Sequence, residues 1–174
     1  MDKLKEIAER IAGADALLIG AGNGLSITEG LHLFADNRAF EELFGELKRR
    51  YGISCILGGM VARWPSEEEY WGFWSRLIRH YCIGYSPSAC MKNLRTIAGG
   101  KDCFVLTTNG ECHFEMSGFA PENIYEVEGT WLAMQCSRGC HGSLYPCEEL
   151  AGKMAAFEKD GRVPSELLPV CPHC

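Results

Sequence analysis

ALLIGAGNGLSITEGL, residues 16–31, is the stretch on which the fold turns. The run ADALLIG (14–20) is short and continuously apolar, as in a strand buried in a parallel sheet. It breaks into a glycine cluster, Gly20, Gly22 and Gly24, followed by Ser26 and Gly30. Glycine spacing alone does not separate a nucleotide cradle from a plain strand-to-helix turn. The rest of the chain has to decide. KDCFVLTTNG (101–110) and ENIYEVEG (122–129) repeat the theme of an apolar strand running into a polar loop. Between the first two strands lie helical patterns. RAFEELFGELKRRYG (38–52) places Phe40, Leu43, Phe44, Leu47 and Tyr51 on one face, with Gly52 as its stop. SEEEYWGFWSRLIRHYC (66–82) opens on Ser66 as N-cap and three acids, which favour a helix N-terminus. Its stripe of Tyr70, Trp71, Trp74, Leu77, Ile78 and Tyr81 reads as core. A further helix over 87–98 stops at Gly99–Gly100.

Strands alternating with helices predict an α/β chain: a Rossmann-like, mostly parallel sheet with helices on both faces. Ligands bind such sheets at the carboxyl ends of the strands. The loops 21–30, 107–113 and 127–131 are therefore expected to converge on one crevice.

The chain has 174 residues, 47% of them hydrophobic, and a net charge of −6. This balance argues against a nucleic-acid partner or an anionic membrane, which call for clustered Lys and Arg. The opening MDKLKEIAERIAG reads as an amphipathic helix with Leu4, Ile7, Ala8 and Ile11 on one face. It lacks the apolar core of a signal peptide, and nowhere do eighteen apolar residues run together. A cytoplasmic location is expected.

Ten cysteines in such a chain point to metal binding or buried thiols before disulfides. Cys55, Cys82, Cys90 and Cys103 stand singly in apolar patterns and are expected to be buried. CSRGCHGSLYPC (136–147) and the final CPHC (171–174) differ. Cys136 with Cys140, and Cys171 with Cys174, form two knuckles that can each hold one side of a tetrahedral zinc. Cys147, His141 and His173 are possible substitutes for one ligand. Four thiolates with no open position make a structural site, so the expectation is a small zinc-binding lobe without chemistry of its own.

Taken together, GNGLSITEGL, VLTTNGECHFEMSG, YEVEG and the cysteine pairs resemble the sirtuins, the NAD-dependent deacylases and ADP-ribosyltransferases. The likeness is nearest to the macrodomain-linked bacterial class, whose members ADP-ribosylate a lipoyl-carrier protein; EEYWGFWSRLIRHY also looks like that class. The resemblance implies NAD as co-substrate and a structural Zn(2+). It places Gly22, Asn23, Gly24 and Ser26 in the nucleotide loop, where backbone N–H groups can cradle a pyrophosphate. It gives Asn109 the catalytic position beside the ribose. Thr108, Gly110 and Glu111 join it in holding the cofactor, Thr108 where most sirtuins have glutamine and Glu111 where they have the aspartate that meets the nicotinamide carboxamide.

The chain departs from the family at residue 128, where Glu128 replaces the histidine that acts as general base. At an ordinary pKa of about 4.3 a carboxylate is a weak base unless burial raises it, though it can stabilise an oxocarbenium-like centre. HLFADNR (32–38) replaces the Pro-Asp-Phe-Arg string, and the family's later adenosine-side strands have no counterpart. A three-stranded, incomplete sheet is expected. The resemblance implies residues 1–34 and 101–135 as the NAD-binding part, 35–100 as a helical insertion and 136–174 as the zinc module. Two functions follow. One is an NAD-dependent protein ADP-ribosyltransferase, with deacylation as a variant, that releases nicotinamide and acts on an acceptor protein. The other is a degenerate module that binds NAD, ADP-ribose or a protein without turnover.

Overall fold

Three parallel strands carry the loops in question. In the computed structural model, which describes residues 2–174, helix α1 (Lys3–Gly13) leads into β1 (Ala16–Ala21) and the short α2 (Asn23–Thr28). Helices α3 (Arg38–Tyr51), α4 (Ile56–Met60), α5 (Glu67–Ile78) and α6 (Ala89–Ala98) follow. Then come β2 (Asp102–Thr107), α7 (His113–Met116), β3 (Ile124–Glu126), the small strands β4 (Ala133–Met134) and β5 (Tyr145–Pro146), and α8 (Glu148–Phe157). The sheet order is β1-β2-β3. Ala21 pairs with Thr107, and Thr107 with Glu126, so the three strands end level with one another. That register brings their following loops to one edge.

Local chemistry accounts for the helix ends. Asn37 caps α3 by accepting from Phe40 N at 2.8 Å. Gly52, at φ 72°, closes it in the left-handed conformation that glycine adopts freely. At the start of α5 the Ser66 hydroxyl donates to the Glu69 carboxylate at 2.9 Å, and the first turn is acidic as the helix dipole favours.

One face of the sheet is packed. Leu17, Ile19 and Val105 lie against Met91 and Ala98 of α6 and against Phe114 and Phe119. On the other face Leu18, Phe104, Leu106, Tyr125 and Val127 are exposed among the described residues, as are Leu4 and Ile7 of α1. A second core joins Leu31, Phe40, Phe44, Leu47, Ile56, Phe73 and Leu77, centred on the helices. Within the α5 stripe Leu77, Ile78 and Tyr81 are buried, whereas Tyr70, Trp71 and Trp74 are half-buried. Phe73, outside the stripe, is fully buried instead.

Helix α8 lies between the cysteine pairs, where the sequence pattern assigns nothing. It buries Ala151 against Ile78, Cys82 and Cys147. Arg76 of α5 locks this arrangement: it donates to Glu158 after α8 at 2.7 Å, to Glu46 of α3 at 2.8 Å and to the Leu43 carbonyl at 2.8 Å. Among the single cysteines Cys82 is buried, but Cys55 and Cys103 are only half-buried and Cys90 is exposed. Cys90 sits on the outer side of α6, one residue before the buried Met91, so the apolar pattern around it misplaces it. No helix among the described residues is long and apolar enough to cross a membrane.

Candidate active site

The loops after β1 and β2 meet directly. The Asn109 carboxamide donates from Nδ2 to the Gly22 carbonyl at 3.1 Å, and Thr108 N donates to the Ala21 carbonyl at 3.2 Å. The Thr107 hydroxyl accepts from Asn109 N at 3.0 Å and sets the turn. A Cβ on Gly22 would stand 3.3 Å from the Thr108 hydroxyl, so the approach suits glycine. The third loop packs on the second: Trp131 N donates to the Gly110 carbonyl at 2.7 Å. A Cβ on Gly110 would lie 2.8 Å from the Gly129 carbonyl oxygen.

Deeper in the crevice a buried chain crosses from loop to loop. The Ser26 hydroxyl donates to Glu111 Oε1 at 2.8 Å. Glu111 Oε1 faces His113 Nδ1 at 3.5 Å, and His113 Nε2 lies 2.8 Å from the Tyr81 carbonyl. The Tyr85 ring stacks on the imidazole with centroids 3.8 Å apart, and its hydroxyl donates to Glu29, just after α2, at 2.8 Å. Burial holds the His113 imidazole toward its neutral form, against the pull of the Tyr81 carbonyl and Glu111. Burial also opposes ionisation of Glu29, but hydrogen bonds from Ser88 and Tyr85 outweigh it and hold that carboxyl low.

A small pocket between β2, α7 and β3 is lined by Thr107, Asn109, Glu111, Cys112, Glu115 and Glu126. The Cys112 thiol and the carboxylates of Glu115 and Glu126 lie within 4.8 Å of one another. Burial and then the Glu115 charge push Glu126 up to about 7. Burial likewise raises the Cys112 thiol, which lies 2.8 Å from the Thr130 hydroxyl.

Of the residues singled out from the sequence, Gly22, Ser26, Thr108, Asn109, Gly110 and Glu111 gather around this crevice. Asn23 Oδ1 is buried there without a hydrogen-bond partner. Gly24 is exposed on α2. Glu128 is exposed on the turn after β3 and does not line the pocket. Sequence reasoning passed over Glu126, two residues earlier, and His113. Their shared signal is an ionisable residue flanked by apolar neighbours, Tyr125 and Val127 for Glu126, Cys112 and Phe114 for His113.

The paired cysteines come together in a cluster of their own. Cys136 Sγ lies 3.7 Å from Cys174 Sγ, and Cys140 Sγ lies 3.5 Å from Cys171 Sγ. All four sulfurs are within 4.8 Å of one another. Sulfurs at about 2.3 Å from a tetrahedral zinc would stand about 3.8 Å apart, so the cluster has the size such an ion needs. Backbone N–H groups of Cys140 and Arg138 bring the Cys136 thiol down to about 6. Cys147 is not in the cluster: it is buried and its thiol donates to the Trp131 carbonyl at 3.2 Å. His141 Nδ1 lies 3.0 Å from Cys140 Sγ, at the rim.

This is a Sir2-like fold: the whole chain superposes on 59% of a Sir2 homologue variant solved with ADP-ribose, at a TM-score of 0.61 and 18% identity. A second Sir2 homologue variant, solved with 2'-O-acetyl ADP-ribose, matches at a TM-score of 0.57 and 16% identity, again over 59% of its length. In sequence the chain is similar to the protein ADP-ribosyltransferase of Staphylococcus aureus (strain Mu50 / ATCC 700699). They are 29% identical over 161 residues, which cover 92% of this chain and 50% of that protein. It is also 28% identical to a probable bifunctional ADP-ribose hydrolase/ADP-ribosyltransferase of Fusarium oxysporum f. sp. cubense, over 95% of this chain and 28% of that protein. The chain thus spans half or less of the curated relatives it matches. No family model matches it.

Proposed function

We propose that this chain forms the NAD-binding part of a sirtuin-type protein ADP-ribosyltransferase. The observation that carries the reading is the junction of Gly22 with Asn109, which sets the glycine loop and the asparagine loop on one crevice at the strand ends. Two features of the crevice fit a dinucleotide. Asn23 Oδ1 is a buried acceptor lacking a donor, which a ligand hydroxyl would satisfy. The Gly22–Ser26 turn opens α2, and the backbone N–H groups of such a turn can cradle a pyrophosphate.

In this reading Gly22, Asn23, Gly24 and Ser26 hold the pyrophosphate, while Thr108, Asn109, Gly110 and Glu111 hold the ribose and nicotinamide. The bond from the ribose carbon to nicotinamide breaks, the electron pair leaves with nicotinamide, and the acceptor's nucleophile closes on that carbon and gives up its proton. Asn109, anchored through Nδ2, keeps its side chain fixed beside the reacting carbon. Glu128 stands on the turn after β3, where the family's base stands, and acts on charge from the rim. The acceptor is a protein, and the resemblance makes a lipoyl-carrier protein the candidate. The four cysteines hold a structural Zn(2+), supported by sulfur spacings of tetrahedral size. The chain divides into the NAD-binding part (1–34 and 101–135), the helical insertion (35–100) and the zinc module (136–174).

The exposure of Glu128 favours a second reading, a module that binds NAD or ADP-ribose without turnover. Nicotinamide release decides between them. The transferase reading expects free nicotinamide from NAD in the presence of acceptor protein; binding of NAD with no release under any acceptor leaves the binding module.

A further inference from the structure

The tautomer of His113 follows from its partners. Nε2 lies 2.8 Å from the Tyr81 carbonyl oxygen. A carbonyl only accepts, so Nε2 carries the hydrogen, and in a neutral ring the lone pair sits on Nδ1. Nδ1 is buried with no hydrogen-bond partner. What faces it is the Glu111 carboxyl, with Oε1 at 3.5 Å. Among the described residues His113 is the one basic group within ion-pair distance of Glu111. His113 is 2% exposed and Glu111 4%, so bulk water does not mediate. A bare lone pair against an ionised carboxylate would be two buried acceptors in opposition; Glu111 Oε1 has the Ser26 hydroxyl, but Nδ1 would be left without any hydrogen bond. One proton placed between them removes the conflict. A closure of about half an ångström brings the two atoms to ordinary hydrogen-bond distance.

We propose that Glu111 and His113 share a single proton, and that His113 is thereby the positioning residue that fixes Glu111 against the glycine loop. The groups packed around the pair favour retaining that proton. Glu29, at the end of α2, accepts from the hydroxyl of the stacked Tyr85 ring, and Glu115 of α7 and Glu126 of β3 line the same pocket as the pair. A net negative charge on the pair would face the Glu29 and Glu115 carboxylates, and Glu126 as well once it ionises above about 7. Such a pair titrates as a unit, and its apparent pKa belongs to neither residue alone. Losing the shared proton as pH rises leaves the pair as a whole an anion beside these carboxyl groups. It also sets that anion against an incoming pyrophosphate. This part of the inference rests on the NAD reading above: NAD binding weakens as pH rises through the titration of the pair.

Nitrogen-15 chemical shifts of the His113 ring test the shared proton without reference to function. The expected wild-type spectrum has Nε2 protonated throughout, and Nδ1 between the bare and protonated limits at neutral pH. Glu111→Gln should return Nδ1 toward the bare limit and lower the pH of ring protonation by about one unit or more, since the counter-charge is gone. A bare Nε2, a bare Nδ1 at every pH, or the same titration in wild type and Glu111→Gln overturns the proposal. Should Glu111→Gln not fold, the wild-type shifts decide alone. His113→Gln keeps a donor for the Tyr81 carbonyl but removes the Nδ1 acceptor. It should flatten the pH dependence of NAD affinity, whereas an unchanged profile counts against a positioning role. If the wild type binds no NAD at any pH, the functional reading falls while the ring shifts still decide the proton.

Discussion

The Asn109 side chain and the Gly22 carbonyl, residues far apart in the chain, are joined by a 3.1 Å hydrogen bond. It ties the loop after β2 to the loop after β1 at the level edge of the sheet. Asn109→Ala deletes this tie and the group nearest the proposed reaction. Nicotinamide release should fall about 10²-fold or more, because misplaced reacting groups lose the orientation advantage. Glu128→Gln should cost less, since Glu128 is exposed and outside the pocket. Parallel kinetics on the two variants check this; equal losses would make Glu128 an obligatory base.

Glu126 links folding to pH. Its ordinary value is 4.5, and burial followed by the Glu115 charge pushes it up to about 7 in the folded chain. Well below 4.5 the group is protonated in both states and contributes nothing. As pH rises between the two values the unfolded chain releases its proton while the folded chain keeps it, so stability is lost across that window and the loss is complete above about 7. Glu126→Gln removes this penalty. Its Tm relative to wild type should therefore rise by a few degrees from pH 5 to pH 8, at about 2–4 °C per kcal/mol for a chain of this size. A gap that stays flat with pH would contradict the assignment.

What the sequence shows and what it hides follow from the range of the forces involved. The glycine loop, the acidic first turn of α5 and the Gly52 stop of α3 are matters of local chemistry, and they are where expected. The identity of the carboxylate that faces the pocket is not local. Side chains alternate along β3, so the parity that turns Glu126 inward and Tyr125 and Val127 outward is set by the pairing of Thr107 with Glu126. The Ser26–Glu111–His113–Tyr81 chain needs three distant segments at once: the loop after β1, the loop after β2 and the end of the α5 region. Helix α8 was silent because its buried contacts come from Ala151 and Met154, too little apolar area to stand out as a periodic stripe.

Gly72 of α5 is a point of close approach. A Cβ there would stand 2.1 Å from the Gly161 carbonyl oxygen, against rigid backbone. Gly72→Ala, otherwise favourable in a helix, should destabilise by about 1–3 kcal/mol through overpacking. Thermal unfolding should show a Tm lowered by roughly 5 °C. An unchanged or higher Tm would mean that the turn at 159–162 moves away freely.

The cysteine cluster should bind one zinc per chain. Cys136→Ser or Cys171→Ser should lower zinc content well below one equivalent. A chelator should lower the Tm of wild type but not of either variant, since metal binding is coupled to folding of the lobe. Metal analysis showing full zinc in both variants would shift the ligand set toward His141, whose Nδ1 lies 3.0 Å from Cys140 Sγ.

The most direct test of the NAD crevice is a titration of the protein with NAD followed by backbone amide shifts. The account predicts saturable changes concentrated at Gly22–Ser26 and Thr108–Glu111, sharply weakened in Asn109→Ala. Shifts confined to other segments, or none at millimolar NAD in protein that remains folded, would contradict it.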